Sequence, residues 1–444
     1  MKKILIFGAG RSAGILIDYL LEFSQKNNYR VVVADYSETL AKQSINNHPN
    51  GTPIVIDVFD EKSRAKIISS SEIVVSMLPA SMHILVARDC ITYKKNLITA
   101  SYASKDILDL DKEVKKSGLL FLNEIGLDPG IDHMSAMQII DSVKKQNGVL
   151  KSFKSYCGGL IHPKYDDNPW NYKFTWNPKN VVLAGNGVAQ YLDGDQIKYI
   201  PYNKLFTRVE SVNFPELGCF EAYANRDSLS YKNSYGIENI STLLRGTLRR
   251  EGFSKAWNIF VQLGLTDDSY YIDTSNLTLS NFLSMYLPKN KGKSLEDNFC
   301  EYLNCSKESD EFKKIEWLGF FSDKKINLDK ATPAEFLQSV LESKWFLSTN
   351  DKDMIVMQHQ FEYMKDSSSY KLISSLVVYG DDNNKTAMAK TVGLPVAIAT
   401  KLILQGKIRL KGVHIPNLEQ VYTPVLDELK DFGIFFSEEL VKIN

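Results

Sequence analysis

Apolar and polar residues alternate along the first 130 residues in a way that predicts strands and helices in turn. Apolar runs such as KILIFG and YRVVVAD are separated by segments with helical spacing, such as ILIDYLLEFSQ. Further apolar runs are TPIVIDV, EIVVSML, NLITAS and LLFLNEIG. Runs that are apolar throughout are typical of strands buried on both faces, and crossovers between parallel strands are right-handed. The pattern therefore predicts an α/β fold with a doubly wound parallel sheet of the Rossmann type, which binds its ligand at the carboxyl ends of the strands.

The pattern changes after the segment NEIGLDPGIDH. Residues 128–235 and 346–384 contain strand-like runs between clusters of Gly, Pro and Asn, which predicts an α+β domain with an antiparallel sheet. The predicted strands are KSFKSYCGG, NVVLAGNGVAQYL, DMIVMQHQFEY and YKLISSLVVYG. Residues 236–345 are mainly helical in pattern and are interpreted as an inserted helical lobe. The helical pattern includes the run STLLRGTLRREGFSKAWNIFVQLGL. The run TAMAKTVGLPVAIATKLILQGKI predicts a long helix with a break at Gly-Leu-Pro.

The composition is that of an ordinary globular protein without net charge. The 444 residues include 53 basic and 53 acidic side chains, and 44% of them are hydrophobic. A chain without net charge has no long-range attraction for nucleic acid or an anionic membrane, and no run reaches the roughly 18 apolar residues of a membrane span. We therefore expect neither partner, and we interpret MKKILIFGAG as a strand rather than a signal peptide.

Five cysteines are scattered along the chain, too few for a disulfide framework in a protein of this size. Cys300 and Cys305 are close in sequence, but no His or further Cys lies near them to complete a zinc site. We therefore expect a reducing, cytoplasmic location and no metal.

The sequence GAGRSA lies between a predicted strand and a predicted helix, the setting in which such a loop binds a dinucleotide. Gly8 would permit the tight turn, Gly10 would let a pyrophosphate approach the backbone, and Ala13 would let the helix pack closely on the strand. We predict that the whole loop contacts the cofactor, with Arg11 and Ser12 included.

Two aspartates end the next two predicted strands. A carboxylate at Asp35, after YRVVVA, would accept hydrogen bonds from the adenosine ribose and repel a 2′-phosphate, which favours NAD over NADP. Arg11 could still contact a phosphate, so NADP is not excluded. Asp57 is predicted to lie near the adenine, and a role in a turn or helix cap is an equal alternative.

Candidates for the nicotinamide end of the site follow the later strands. Met77 and Leu78 come after EIVVS, and Ser101 and Tyr102 come after NLITA. The Tyr102 phenol is a candidate proton donor, although a lone Tyr more often packs with its hydroxyl bonded. In NEIGLDPGIDH, Asp128 is the preferred polar candidate, and the alternative is a cap for the following helix.

Arginines are concentrated at Arg226, Arg245, Arg249 and Arg250. Guanidinium groups bind carboxylates through paired hydrogen bonds, so this group predicts a polyacidic substrate, although such clusters more often lie on a solvated helix face. HExxH, P-loop and Ser-His-Asp patterns do not occur, which argues against a metalloprotease, a kinase or a hydrolase.

Further motifs are distributed over nearly the whole chain. They are GAGRSA, TASYAS, NEIGLDPGIDH, SYCGG, YKFTW, NRDS, LRGTLR, TAMAKTVGLP and GVHIP. Together they resemble the glutamate-forming saccharopine dehydrogenases, also called saccharopine reductases. The resemblance implies an oxidoreductase of lysine metabolism that interconverts saccharopine with L-glutamate and 2-aminoadipate 6-semialdehyde by hydride transfer. It also implies that residues 385–444 return to complete the dinucleotide-binding domain formed by residues 1–127.

The resemblance assigns roles to single positions. Arg226, Thr247 and Arg249 would bind the carboxylates of saccharopine, a small tricarboxylic amino acid. The reacting centre would be lined by Tyr102, Asp128 and Cys157. The tyrosine and the aspartate are preferred over the cysteine as the acid–base group, and the substrate amine is a further candidate base.

Thr175, in YKFTW, would approach the cofactor at a position where the family more usually has Ser. Family members that use NADPH carry a basic residue near the end of the second strand, so Asp35 favours NAD. Two other functions stay open: a related dehydrogenase of a carboxylated polyamine, and a non-enzymatic scaffold that binds NAD. The sequence leaves the physiological direction and the oligomeric state open, with a homodimer among the options.

Overall fold

The computed structural model describes residues 1–184 and 186–443. They group into two compact units. Unit 1 comprises Met1–Leu150, Met364–Ser368 and Leu376–Glu438. Unit 2 comprises Lys151–Tyr363, Ser369–Ser375 and the residues from Glu439 onward. The helical segment predicted at 236–345 falls within unit 2, and the three-part division made from the sequence stays a prediction.

Strands and helices alternate through the first 150 residues. The strands are β1 (Lys2–Phe7), β2 (Tyr29–Asp35), β3 (Gly51–Val55), β4 (Ile73–Ser76), β5 (Asn96–Ile98) and β6 (Leu120–Leu122). The helices are α1 (Gly14–Asn27), α2 (Glu38–Ile45), α3 (Glu61–Ser69), α4 (His83–Thr92), α5 (Lys105–Asp109), α6 (Asp111–Lys116) and α7 (Ile131–Lys145). Capping side chains set where several helices begin: the Ser37 hydroxyl accepts from the Leu40 amide, and the Asp60 carboxylate caps α3.

Strands and short helices make up the middle of the chain. The strands are β7 (Val149–Ile161), β8 (Val188–Asp193), β9 (Gln196–Pro201), β10 (Val209–Phe214), β11 (Gly218–Ala224), β12 (Thr242–Arg250), β13 (Ile272–Asp273), β14 (Lys330–Ala331), β15 (Asp353–Lys365) and β16 (Ser368–Tyr379). The helices are α8 (Pro178–Val182), α9 (Tyr202–Leu205), α10 (Tyr231–Ser234), α11 (Phe253–Leu263), α12 (Leu279–Met285), α13 (Leu295–Leu303), α14 (Asp310–Leu318) and α15 (Pro333–Glu342). The last elements of the chain are α16 (Ala387–Leu404), β17 (Gly412–His414), α17 (Glu419–Lys430) and β18 (Ser437–Ile443).

The sheet of unit 1 has the strand order β17-β6-β5-β4-β1-β2-β3, and its strands pair in parallel. The strand order reverses beside β1, which has β4 on one side and β2 on the other, and this is where a doubly wound fold binds its ligand. The predicted parallel sheet is confirmed. β17 extends it beyond β6.

The long C-terminal helix α16 is continuous, so the predicted break at Gly-Leu-Pro was wrong. Pro395 lies inside the helix, and burial of most of the helix offsets the hydrogen bond that proline removes. Gly393 allows a close approach to α1, because a Cβ there would lie 3.1 Å from the Ser12 carbonyl oxygen and the Leu16 amide nitrogen. Across the described ranges, α16 is the one helix long and apolar enough to span a membrane by composition, and 72% of that stretch is buried inside the structure.

The larger sheet of unit 2 is mixed rather than purely antiparallel. Its order is β10-β11-β12-β7-β15-β16-β18, with β8 paired to β12 and β9 to β8. β12 pairs in parallel with β7 and antiparallel with β11. The predicted strands KSFKSYCGG, DMIVMQHQFEY and YKLISSLVVYG are confirmed as β7, β15 and β16.

Two local predictions in unit 2 were wrong. The segment TLLRGTLRR, read as helical, is strand β12, because its pairing with two neighbouring strands outweighs local helix propensity. The segment NVVLAGNGVAQYL, read as one strand, contains helix α8 and strand β8, and its Gly185 lies outside the described residues. The Asn177 side chain caps α8, and Pro178 occupies its first turn, a combination that starts a helix.

Candidate active site

The glycine-rich loop joins β1 to α1 in unit 1, as predicted. Gly8 has a φ of +93°, and a Cβ there would lie 2.9 Å from the Met77 carbonyl oxygen, so a side chain cannot be placed. At Gly10 no atom lies within 4 Å of the Cβ position. The N-terminus of α1, next to the buried Ala13, has no side-chain cap. An open backbone turn and an uncapped helix N-terminus fit a pyrophosphate.

Asp35 is fixed beside this loop. One carboxylate oxygen accepts the Ala9 amide at 2.7 Å, and the other accepts the Ser37 amide at 2.8 Å. Asp57 is exposed and accepts the Phe59 amide at 2.9 Å, which closes its own turn. The turn role proposed as the alternative for Asp57 is therefore present, and its contact with adenine stays a prediction.

The remaining loop and strand-end candidates surround the same edge of the sheet. Arg11 is exposed and Ser12 is half-buried. The Met77 amide donates to the Phe7 carbonyl at 2.8 Å, which holds Met77 over Gly8. Leu78 packs on the hydrophobic core.

Ser101 contacts a buried histidine that the sequence analysis missed. The imidazole of His83, at the start of α4, lies with Nδ1 2.8 Å from the Ser76 hydroxyl and Nε2 2.8 Å from the Ser101 hydroxyl. Burial lowers the pKa of His83 from 6.5 to about 4. A lone His in an apolar helix carries no local motif, so only the sheet topology brings it to Ser101.

Tyr102 and Asp128 are brought together. The phenol donates to the aspartate carboxylate at 3.2 Å, and the tyrosine side chain is partly exposed. Glu124, also missed, holds this region: it accepts the Ala103 amide at 3.0 Å and contacts His133 Nε2 at 2.8 Å. The Asp128 carboxylate and the Tyr102 phenol can therefore act together, the first as a proton acceptor and the second as a proton donor.

In unit 2, the register of β12 against β7 brings Cys157 beside Thr247. Side chains alternate along a strand, so Arg249 lies on the same face as Thr247, and Arg250 lies on the other. Cys157 is buried. Arg250 stacks over Phe220 instead, with its guanidinium carbon 4.3 Å from the ring centre.

Arg249 is buried among aromatic rings. Its side chain is 3% exposed, and its guanidinium carbon lies 4.9 Å from the ring centre of Tyr172, 5.3 Å from Phe253 and 5.8 Å from Tyr223. Nη1 donates to the Leu248 carbonyl at 2.9 Å. Within residues 1–184 and 186–443, Nε has no hydrogen-bond partner and the guanidinium forms no ion pair. A buried charge without a counter-ion is costly, so this geometry fits a ligand carboxylate.

The other predicted residues of unit 2 differ in setting. Thr175 is buried, and its hydroxyl has no hydrogen-bond partner in the described part of the chain. Arg226 is exposed and lies in the left-handed region with a φ of +44°, while Arg245 is buried and stacks 4.2 Å from the Tyr231 ring centre. The predicted arginine group is therefore not a solvated helix face, and its members have distinct environments.

Among the described residues, none of the five cysteines forms a disulfide bond. Among the residues the structure describes, no group of three or more His, Cys, Asp or Glu side chains could hold a metal ion. The absence of a metal requirement stays a prediction.

Comparison with known families decides the assignment. Residues 4–122 match the family model for the saccharopine dehydrogenase NADP binding domain, and residues 126–434 match that for the saccharopine dehydrogenase C-terminal domain. The chain belongs to the saccharopine dehydrogenase family. The two family models together cover nearly the whole chain, and the family inferred from its motifs is confirmed.

Two relatives show the extent of the likeness. The chain is 35% identical over 450 residues to the saccharopine dehydrogenase [NADP(+), L-glutamate-forming] of Saccharomyces cerevisiae, covering 99% of each protein. It is also 35% identical to the mitochondrial alpha-aminoadipic semialdehyde synthase of Mus musculus, covering 99% of this chain and 48% of that protein. The chain therefore spans about half the length of the curated synthases it matches.

Solved structures agree with this saccharopine dehydrogenase fold. The apo saccharopine dehydrogenase (L-Glu forming) of Saccharomyces cerevisiae matches with a TM-score of 0.89 at 32% identity, covering 99% of this chain and 100% of that one. A homospermidine synthase of Legionella pneumophila, solved with NAD, matches with a TM-score of 0.59 at 10% identity, over 99% of this chain and 91% of that one. The second likeness concerns the fold alone.

Proposed function

We propose that the chain is an NAD(P)-dependent saccharopine dehydrogenase that releases L-glutamate and 2-aminoadipate 6-semialdehyde from saccharopine. The observation that carries this proposal is Arg249, a buried guanidinium with aromatic walls and no carboxylate partner among the described residues. Saccharopine carries three carboxylates, and planar guanidinium groups bind carboxylates through two parallel hydrogen bonds. The names of the full-length fungal relatives support the same reaction.

In the oxidative direction, saccharopine, oxidised cofactor and water give glutamate, the semialdehyde, reduced cofactor and one proton. The nicotinamide supplies the chemistry of hydride acceptance. Arg249 and Thr247 bind and orient substrate carboxylates, and the exposed Arg226 binds another. Asp128, hydrogen-bonded to Tyr102, takes up the proton released as water adds to the oxidised carbon.

Asp128 is a better proton acceptor than Cys157. The hydrogen bond from Tyr102 orients the half-buried Asp128 carboxylate, whereas the Cys157 thiol is buried in the strand next to Thr247. Asp128→Asn should lower kcat by about 10²–10⁴-fold, the usual range for a general base. Cys157→Ser, the matched control at the other candidate, should retain most of kcat. The reverse order of effects would move the role to the cysteine.

We also propose that NAD is preferred over NADP. Asp35 places its carboxylate beside the glycine-rich loop, where a 2′-phosphate would be repelled. The family model and the fungal relatives are named for NADP, so NADP is the competing cofactor. An Asp35→Ala variant should lose preference for NAD, as measured by kcat/KM for each cofactor. A wild type that turns over only with NADP would overturn this proposal while leaving the reaction intact.

The deciding experiment is the appearance of reduced nicotinamide when the protein meets saccharopine with NAD or NADP, with the products identified by mass spectrometry. Glutamate and the semialdehyde are the expected products. Turnover of a carboxylated polyamine instead would indicate the related dehydrogenase, and cofactor binding without any turnover would indicate a scaffold. A cytoplasmic location is likewise proposed, and imaging of a tagged chain tests it.

A further inference from the structure

His83 connects two hydroxyl groups at the carboxyl ends of adjacent parallel strands. Its imidazole is 3% exposed and lies between Ser76, at the end of β4, and Ser101, which follows β5. Burial keeps its pKa well below 6.5, so the ring is neutral near neutral pH. A neutral imidazole donates through one nitrogen and accepts through the other.

The surroundings decide which nitrogen carries the proton. Ser76 is fully buried, and within the described ranges its hydroxyl has one partner, His83 Nδ1. A buried hydroxyl that fails to donate is destabilising, so the Ser76 O–H donates to Nδ1. The buried Thr99 hydroxyl competes for the other nitrogen, but its contact with Nε2 is longer, 3.3 Å against 2.8 Å for Ser76 and Nδ1. We therefore assign the ring proton to Nε2, which faces the Ser101 oxygen at 2.8 Å.

Ser101 is the exposed end of this chain of hydrogen bonds. The Ser101 oxygen accepts from His83 Nε2. The Ser101 amide donates to the Thr99 hydroxyl oxygen at 3.2 Å, and this Thr99 oxygen also lies 3.3 Å from Nε2. With its oxygen held as an acceptor, the half-buried Ser101 hydroxyl keeps its own proton to donate. A half-buried donor at the carboxyl end of a Rossmann strand lies where such folds bind their ligand.

We propose that His83 is a positioning residue that fixes the Ser101 hydroxyl as a hydrogen-bond donor to an acceptor oxygen of the bound reactants. The inference rests on the proposed function. The acceptor is a carbonyl or carboxylate oxygen, supplied by the cofactor carboxamide or by the substrate. His83 acts only through Ser101 and touches neither reactant.

The first test needs no turnover. Nitrogen-15 NMR of histidine-labelled protein distinguishes the two neutral tautomers and the cation, and His83→Gln identifies the His83 signals by their loss. The expected result is a neutral ring with its proton on Nε2 from pH 8 down to about pH 5, consistent with the lowered pKa. A proton on Nδ1, or a cation at pH 7, would overturn the proposal even if saccharopine turnover is normal.

The second test uses matched variants. His83→Leu removes the bond to Ser101, and His83→Gln keeps a donor near the position of Nε2. We expect His83→Leu to lower kcat/KM about 10–100-fold, the loss of one well-placed hydrogen bond, and His83→Gln to recover most of it. Equal losses in the two variants would mean that His83 serves packing only and would contradict the proposal.

A double-mutant cycle separates positioning from folding. Ser101→Ala should cause a loss similar to that of His83→Leu, and the double variant should lose little more. A raised Kd for reduced cofactor, measured by fluorescence, would identify the carboxamide as the acceptor. A raised KM for saccharopine at unchanged cofactor Kd would identify the substrate. Additive losses in the double variant would contradict coupling through Ser101. If no substrate turns over, the cofactor Kd and the NMR result still decide whether His83 positions Ser101.

Discussion

Two buried arginines, one in each unit, show two uses of a buried positive charge. In unit 1, Arg64 contacts the Asp89 carboxylate at 2.7 Å and donates to the Val58 carbonyl at 2.6 Å. In unit 2, Arg249 is surrounded by aromatic rings and has no carboxylate partner among the described residues. The first charge is neutralised by the fold itself. Under the proposed function, the second charge pairs with a substrate carboxylate, and its burial then serves binding rather than stability.

The largest expected effect is a loss of activity without a loss of stability when Arg249 is replaced. Arg249→Met should lower kcat/KM for saccharopine by about 10³-fold, because a buried charged hydrogen-bonded pair loses one partner. The free energy of unfolding should change by no more than about 1 kcal/mol, because the lost cation–π contacts and the lost hydrogen bond to the Leu248 carbonyl are offset by removal of a buried charge without a counter-ion. Arg249→Lys, the matched control, keeps the charge without the planar fork and should recover part of the activity. Full activity in Arg249→Met would remove the substrate role.

Arg64 should give the opposite result. Arg64→Met leaves the Asp89 carboxylate without its partner, and we expect the free energy of unfolding to fall by about 3–5 kcal/mol. Urea denaturation measures this loss, and kcat/KM of the folded variant should be unchanged. The double variant Arg64→Met, Asp89→Leu should recover stability. If kcat/KM falls by more than the unfolded fraction of Arg64→Met accounts for, Arg64 also serves activity and the contrast with Arg249 fails.

His83 adds a pH dependence to unit 1. Its pKa is lowered from 6.5 to about 4, so between these values the unfolded chain takes up a proton that the folded chain does not. The contribution of His83 to stability is therefore complete above about pH 6.5 and is lost as the pH falls toward 4, by about 3 kcal/mol in total. His83→Gln should flatten this part of the stability curve. Equal acid sensitivity in variant and wild type would show that the histidine does not titrate as described.

The smallest effect concerns the contact of α16 with α1. Gly393→Ala places a methyl group 3.1 Å from the Ser12 carbonyl and the Leu16 amide, and we expect a loss of about 1–3 kcal/mol. Dinucleotide affinity should weaken with it, because Ser12 belongs to the glycine-rich loop. Gly14→Ala is the stability control, since nothing lies within 4 Å of its Cβ position. Equal free energies of unfolding for Gly393→Ala and Gly14→Ala would show that α1 moves away from the added methyl group without loss of stability.

Sequence reasoning succeeded where the determining contacts are local. The turn at Gly8 and the strands of unit 1 follow from residues close together in the chain. It failed at β12, which was read as helical because Leu and Arg suit either structure and the register against β7 is set by distant residues. That error hid the shared face of Thr247 and Arg249.

Long-range topology also explains the missed residues. His83 contacts Ser76 and Ser101 only because β4 and β5 are neighbours in the sheet. Glu124 accepts the Ala103 amide only because its loop folds back on that residue. The family motifs nevertheless placed Tyr102 and Asp128 in one site, and the structure brings them to 3.2 Å. Resemblance therefore supplied long-range information that the pattern of apolar residues does not contain.

The position of β17 has a consequence for how the protein is made. Its residues, Gly412–His414, complete the sheet edge beside β6, whose residues leave the ribosome much earlier. At synthesis rates of about 5–20 residues per second, tens of seconds separate the two strands. During that interval β6 is an open edge that invites pairing with other nascent chains. We therefore expect a chain truncated before Gly412 to keep β6 as an open edge and to aggregate or be degraded more readily than the full chain.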